Sequence, residues 1–310
     1  MSQQVFATNS LGGFFTNNQL SEEVRYISQT MQMFRRFTKP EKAIGKNRGD
    51  QVFFQKISNI ATAGGTLAET STVPKTNWTT TRGTITITEY GNSIPFTQKL
   101  RSLGDLSVDD TTRTVLINDQ RVVLDSAAAA QFTAADFKAT ITNTATTTIG
   151  SAGAALATAG ASMSDKSVRD IVDEMKRRNM PRFDRSGNYI CIASTNSIRG
   201  LYDFFESKAN LTTLKPALDG EVGKYFGCRF MEETNFLSNT LGSSSNAGEA
   251  VFFGDDAVRE GIAIPEEIRI KISTDYGRDL GLAWYAILGW QKVWDFSDDS
   301  DARIIHVTSL

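Results

Sequence analysis

The spacing of apolar residues changes several times along these 310 residues, and each change marks a predicted element. In 51–96, QVFFQKI enters and TITITEY returns, with Ile85 and Ile87 alternating against Thr84, Thr86 and Thr88 in the two-residue period of half-buried strands. Between them, NIATAGGTLAETSTVPKTNW carries few large apolar residues. The segment therefore reads as a long two-stranded excursion whose middle a partner must hold. Arms of roughly twenty residues reach about 60 Å at ~3.3 Å per residue, far more than a hairpin inside a compact domain needs.

A helix follows over 107–131. Ser107 is its predicted N-cap, and Asp110 lies where a carboxylate meets free amides and the positive end of the dipole. Val108, Val115 and Val122 recur at seven and are joined by Leu116, Val123, Ala127 and Ala130, an apolar stripe ~37 Å long at 1.5 Å per residue. That stripe predicts a spine packed on a sheet. The same spacing suits a coiled coil, but the small alanines at its end favour the sheet. Residues 139–162, rich in Ala, Thr and Gly and free of aromatics, read as a loose connection.

A second unit opens with Val168, Ile171, Val172 and Met175 on one helical face. Lys176, Arg177 and Arg178 sit at its last turn, and Pro181 stands beyond. Strand YICIAS follows, then a helix carrying Ile198, Leu201, Tyr202 and Phe205, then EVGKYFGCRFMEETN and a Ser/Asn/Gly loop over 237–249. In the last third, Ile268, Ile270 and Ile272 are expected to face inward against Arg269 and Lys271, while GLAWYAILGWQKVW is apolar on both faces, as a buried strand is. These strands return the chain to a central sheet.

Composition adds little to this picture: 40% hydrophobic and 22% charged is ordinary globular usage, and a net charge of −2 gives no bulk attraction to nucleic acid or membrane. No run reaches the ~18 apolar residues of a membrane span, and the N-terminus lacks a secretory pattern. Residues 1–34, with Phe6, Phe14 and Phe15 scattered among polar residues, suit an extended arm. Next comes a cationic stretch, Arg35, Arg36, Lys39, Lys42, Lys46 and Arg48. It is either a solvated surface or a patch facing a polyanion or an acidic neighbour. Cys191 and Cys228, in strand-like runs, are expected to be buried reduced thiols.

Chemistry is sparse. His306 is the only histidine, which removes most metal and general-base schemes. Gly-Lys at 45–46 and 223–224 is followed by Asn47 and Tyr225 where a phosphate loop needs Ser or Thr. The acids at 295–301 put Ala302 where a calcium loop needs glycine. Glu232/Glu233 and Asp255/Asp256 are adjacent pairs, expected as surface charges because neighbours on a strand point to opposite faces. No cofactor, metal or catalytic group is expected, and a hydrolase reading has no base to support it.

GEVGKYFGCRFMEETN at 220–235, GDQVFFQK at 49–56 and ITEYGNSIPFTQKL at 87–100 together resemble the major capsid proteins of tailed phages, in the N-four-like branch of the Hong Kong 97 fold. In that branch G-E-x-G-x-x-x-G-x-R-F-x-E-T is typical. Gly220, Glu221, Gly223, Gly227, Arg229, Phe230, Glu233 and Thr234 occupy it, with Met231-Glu232 where one residue is usual. The resemblance implies an α+β fold: N-arm (1–50), extended E-loop hairpin (51–96), P-domain part with the spine helix (97–162), inserted A-domain (163–264) and P-domain strands (265–310). It implies a coat protein that self-assembles into pentamers and hexamers of an icosahedral shell around double-stranded DNA, with a portal and a separate scaffolding protein as further partners. Assembly would take place in the bacterial host cytoplasm, and no membrane is involved. Arg35, Arg36, Lys39, Gly64, Gly65, Leu67, Pro74 and Trp78 are the expected assembly contacts. Another virion part, such as a tail-tube subunit, is the alternative.

Overall fold

The computed structural model describes residues 32–41, 49–57, 64–104, 107–143, 146–150, 161–183, 187–209, 221–241, 247–273, 275–294 and 302–308. Its strands are β1 (Lys39–Glu41), β2 (Gln51–Ile57), β3 (Thr80–Thr86), β4 (Thr88–Thr97), β5 (Lys138–Asn143), β6 (Thr146–Gly150), β7 (Tyr189–Ser194), β8 (Glu221–Tyr225), β9 (Cys228–Glu233), β10 (Ala250–Phe253), β11 (Val258–Ile270), β12 (Asp279–Lys292) and β13 (Ile304–Val307). The helices are α1 (Gln98–Leu103), α2 (Val108–Thr133), α3 (Asp165–Arg177) and α4 (Thr195–Ala209). The fold is α+β.

One sheet has the order β1-β11-β12-β4, and its centre is the long antiparallel pair β11–β12. The spine helix α2 lies across one face. Ser107 caps it as expected, its hydroxyl accepting from the Asp110 amide and donating to the Asp110 carboxylate. Asp119 fixes the helix to the sheet, accepting hydrogen bonds from Trp284 Nε1 at 2.8 Å and Asn92 Nδ2 at 2.9 Å. The face that α2 buries is not the expected valine stripe. Leu116, Leu124, Ala128, Ala129 and Phe132 are buried together with Thr112 and Asp125, whereas Val115 and Val122 are exposed. The buried face is written partly in small and polar residues, so the valines misled.

A second sheet has the order β6-β5-β13-β10-β7-β9-β8. Both of its faces are covered, which explains the continuous apolar run of β7, buried at every position. Ile190, Ile192, Val251 and Phe253 face the spine-helix core, while Cys191, Ala193, Ala250 and Phe252 face α3 and α4. Both cysteines are free and buried, and burial pushes the Cys191 thiol well up. The region read as a loose connection contains β5 and β6, an antiparallel pair that threonine-rich strands build without large apolar residues. β13 was expected with the long strands and instead pairs with β10 and β5 in this sheet. Ile270 and Ile272, expected inside, are exposed near the far end of the β11–β12 hairpin.

β8 and β9 join through Phe226 and Gly227, with φ of 49° and 79°. Tyr225 pairs with Cys228, so this is a two-residue hairpin with both central residues left-handed, the geometry that favours glycine second. Gly223 is inside β8 at a register irregularity, not at the turn. Gly227→Ala is expected to lose about 1 kcal/mol in denaturant unfolding.

Candidate assembly surface

β2 and β3 form a separate two-stranded hairpin in register from Gln51↔Thr86 to Ile57↔Thr80. Val52, Phe54 and Lys56 are buried, and Gln51, Phe53, Gln55 and Ile57 are exposed, the alternation read from the sequence. Its base packs Val52, Phe54, Ile85 and Ile87 on Val293, Ala263, Ile287 and Trp294. The landing place is cleared by glycine. A Cβ on Gly289 would stand 2.1 Å from the Thr86 carbonyl oxygen, and Gly261, opposite it in the β11–β12 register, lies under Val52 and Ile85. The expected range 51–96 thus takes in this hairpin and also β4, which belongs to the four-stranded sheet beside β12.

Past the paired strands, residues 64–79 are exposed throughout. Gly64, Gly65 and Pro74 are among them, as are Leu67 at 52% exposure, Val73 at 67% and Trp78 at 65%. Further large apolar residues stand exposed at Leu100 and Leu103 on α1, and at Ile270, Ile272 and Tyr276 around the β11–β12 tip. Apolar side chains left in water at the ends of projecting hairpins mark surfaces that another molecule covers.

The first members of the cationic stretch are engaged within their own chain. The guanidinium of Arg35 pairs with Glu260 at 2.9 Å and Glu266 at 2.8 Å, and Lys39 Nζ meets Asp255 at 2.7 Å. Asp125, 1% exposed, accepts the backbone amides of Met33 and Arg35 at 3.1 and 2.8 Å. Phe34 packs on Phe132, and Phe37 on Phe183 and Phe253. Residues 33–41 therefore close the core between the sheets, and the arm expected up to residue 50 is interrupted here. Arg36 is exposed beside the Phe37 ring, and Lys42, Lys46 and Arg48 lie outside the described residues.

Hydrogen bonding to Arg35 holds the Glu266 carboxyl below its ordinary value of 4.5, against the effect of burial. A depressed carboxyl contributes stability above its unfolded pKa and loses it as pH falls through the folded one. Arg35→Met is therefore expected to lower Tm most near neutrality, with the gap to the unsubstituted protein closing below about pH 4.5. Thermal melts from about pH 7 to pH 3 check this, and a constant gap would contradict it.

The acid pairs are not simple surface charges. Glu233 is 2% exposed, and its carboxylate accepts the amides of Asn235, Phe236 and Leu237, fixing the loop after β9. Glu232 accepts from Thr195 and Tyr202 hydroxyls, tying β9 to α4. Asp256 binds Arg259 and Arg303. His306 is buried, with Nε2 at 3.4 Å from Glu249 Oε1. Among the described residues no His, Cys, Asp and Glu group could hold a metal ion, and no helix is long and apolar enough to cross a membrane. The acids at 295–301 lie outside the described residues.

Residues 80–291, from β3 through β12, match the family model described as phage capsid protein. The chain belongs to the phage capsid protein family. It is a major capsid protein, a structural subunit of an icosahedral phage shell, and this sets aside the tail-tube reading. Its Hong Kong 97-type fold is shared with the head protein of Helicobacter pylori bacteriophage KHP40, at a TM-score of 0.71 and 13% identity, covering 100% of this chain and 99% of that one. The capsid of Ralstonia phage GP4 matches at a TM-score of 0.66 and 15% identity over 100% and 99%. That of Cyanophage P-SCSP1u matches at 0.69 and 11% over 96% and 94%. No curated protein matches in sequence. Within the capsid protein, the signature residues Gly223, Gly227, Arg229 and Phe230 build the β8–β9 hairpin, with Phe230 packed edge-on to Phe252. Gly220 and the side chain of Glu221 lie outside the described residues.

Proposed function

We propose that this capsid protein associates as pentamers and hexamers that enclose double-stranded DNA, and that the β2–β3 hairpin is its principal assembly arm. The observation that carries this is the exposed run 64–79, in which Leu67, Val73 and Trp78 project from a hairpin that, among the described residues, packs on the subunit at its base. Gly64, Gly65 and Pro74 shape that run, and together with Leu67 and Trp78 they form the contact to a neighbouring subunit. Arg36 stays in this interface as an exposed cation. Arg35 and Lys39 act indirectly, by securing the segment beside it through their own chain's carboxylates. A portal and a separate scaffolding protein complete the list of partners, membership of the N-four-like branch is the reading its signature supports, and assembly takes place in the host cytoplasm. DNA contact is non-specific, since cations on phosphate position without reading sequence.

Electron microscopy of the recombinant full-length protein tests this. Closed shells built from five- and six-fold clusters are expected. Tubes, or subunits that remain separate under all assembly conditions, would refute it.

A further inference from the structure

The four-stranded sheet is packed differently on its two faces. Trp284, Ala286 and Leu288 of β12 point into the spine-helix core, so Gly281, Ala283, Tyr285, Ile287 and Gly289 share the opposite face. The β2–β3 hairpin covers one half of that face, packing on Ile287 and passing over Gly289. The other half is floored by small residues. Gly281 and Ala283 lie between Pro95 and Ser93 of β4 on one side and Lys271 and Arg269 of β11 on the other. Among the described residues these line a trough of about 440 Å³. Its end nearer the hairpin is walled by the Arg269 guanidinium, which stands 3.9 Å from the centre of the Tyr285 ring. A floor without bulky side chains and a cation at one end suit a flat aromatic group.

Such a group stands exposed on the hairpin. Trp78 is 65% exposed, whereas Trp284 and Trp290 are in the core. It lies two residues before β3, so the paired strands position it more closely than Leu67 or Val73. Its exposure shows that it does not fill the trough of its own subunit. Reach agrees: from Ile87 at the hairpin base, nine residues of chain extend up to about 30 Å, while Ala283 lies four residues from Ile287, about 13 Å along β12.

The faces of the sheet decide which copy receives the indole. Subunits of a closed shell all turn the same face outward and are related by rotations about axes normal to the shell. An arm that rises from one face of its own sheet therefore meets that same face of a neighbour, and the trough is on it. We propose, resting on the reading of the hairpin as the assembly arm, that Trp78 of one subunit docks in the Gly281–Ala283 trough of the next, its ring flat on the sheet beside Arg269. The spine helix, on the opposite face, takes no part in this contact.

The test is disulfide formation in shells assembled from the full-length protein and treated with a mild thiol oxidant. Cys191 and Cys228 are buried and do not compete. Thr79→Cys/Ser93→Cys keeps the indole and places one thiol beside it and one in the trough. This variant is expected to link subunits at least about tenfold faster than Thr79→Cys/Arg113→Cys, whose second thiol is exposed on α2, because docking sets a high effective concentration. Equal rates, or a bridge within one chain, would overturn the docking while leaving the hairpin as the arm. Hydrogen exchange over 64–79 that stays fast in shells would remove the arm reading, and the docking with it. A second variant, Ala283→Trp, fills the trough from within. Its subunit should melt within about 2 °C of the unsubstituted protein, and its shell yield should fall at least about tenfold. An unchanged yield would overturn the proposal.

Discussion

Leu124→Asp is expected to abolish soluble subunit, while Val115→Asp, nine residues earlier on the same helix, is expected to leave it soluble and folded. Leu124 is fully buried where α2 meets the β12 face, in the core that also contains Trp284, Ala286 and Leu288. A carboxylate there has no partner to receive it, and an unpaired buried charge costs on the order of 3–5 kcal/mol, a large part of a domain's whole stability. Val115 is nearly half exposed, so its replacement keeps the new charge in water and costs about 1 kcal/mol or less in the core. Soluble yield and thermal melts of the two variants check the pair. Equal loss in both would return the spine to the valine stripe and refute the packing described for α2.

The contrast shows which parts of the fold were legible. The start of α2 was written locally in Ser107 and Asp110, and capping is a contact between residues three apart. Its buried face was not, because burial is decided by what the helix meets. Here it meets Trp284 through Asp119 and the segment 33–35 through Asp125, so acids lie on the packed side and valines on the open one. The same limit explains Ile270 and Ile272, where alternation pointed to a strand but the inward face was chosen by hydrophobicity at a hairpin end where both side chains stand exposed. β13 left the long strands for the other sheet because strand partners lie far away in sequence, as Ala250↔Val307 does.

Surface features differ in how far sequence reveals them, for a related reason. The middle of the β2–β3 excursion stood out by lacking core-forming residues, a property of composition that needs no partner to detect. The cationic stretch looked like a contact because charge is visible in sequence and its pairing is not. Glu260 and Glu266, which neutralise Arg35, lie more than two hundred residues downstream. Glu233 was missed since the amides it collects are backbone, and no side-chain pattern announces a carboxylate that caps a loop.

The double variant Leu67→Asp/Trp78→Asp separates assembly from folding. Both side chains are more than half exposed in the subunit and belong to none of its cores, so the subunit should remain soluble with stability changed by no more than about 0.5 kcal/mol. In a shell each of these side chains would be buried against a neighbour, a gain of about 1.5–3 kcal/mol apiece, repeated at every contact around the particle. Replacing both with carboxylates removes that gain and adds desolvation of two charges at the centre of a contact, where hot-spot losses are greatest. Sedimentation should therefore find separate subunits or capsomers in place of shells, and hydrogen exchange over 64–79, fast in the subunit and slow in wild-type shells, should stay fast throughout. Closed shells at the wild-type yield would show that the projecting apolar run is not what binds one subunit to the next.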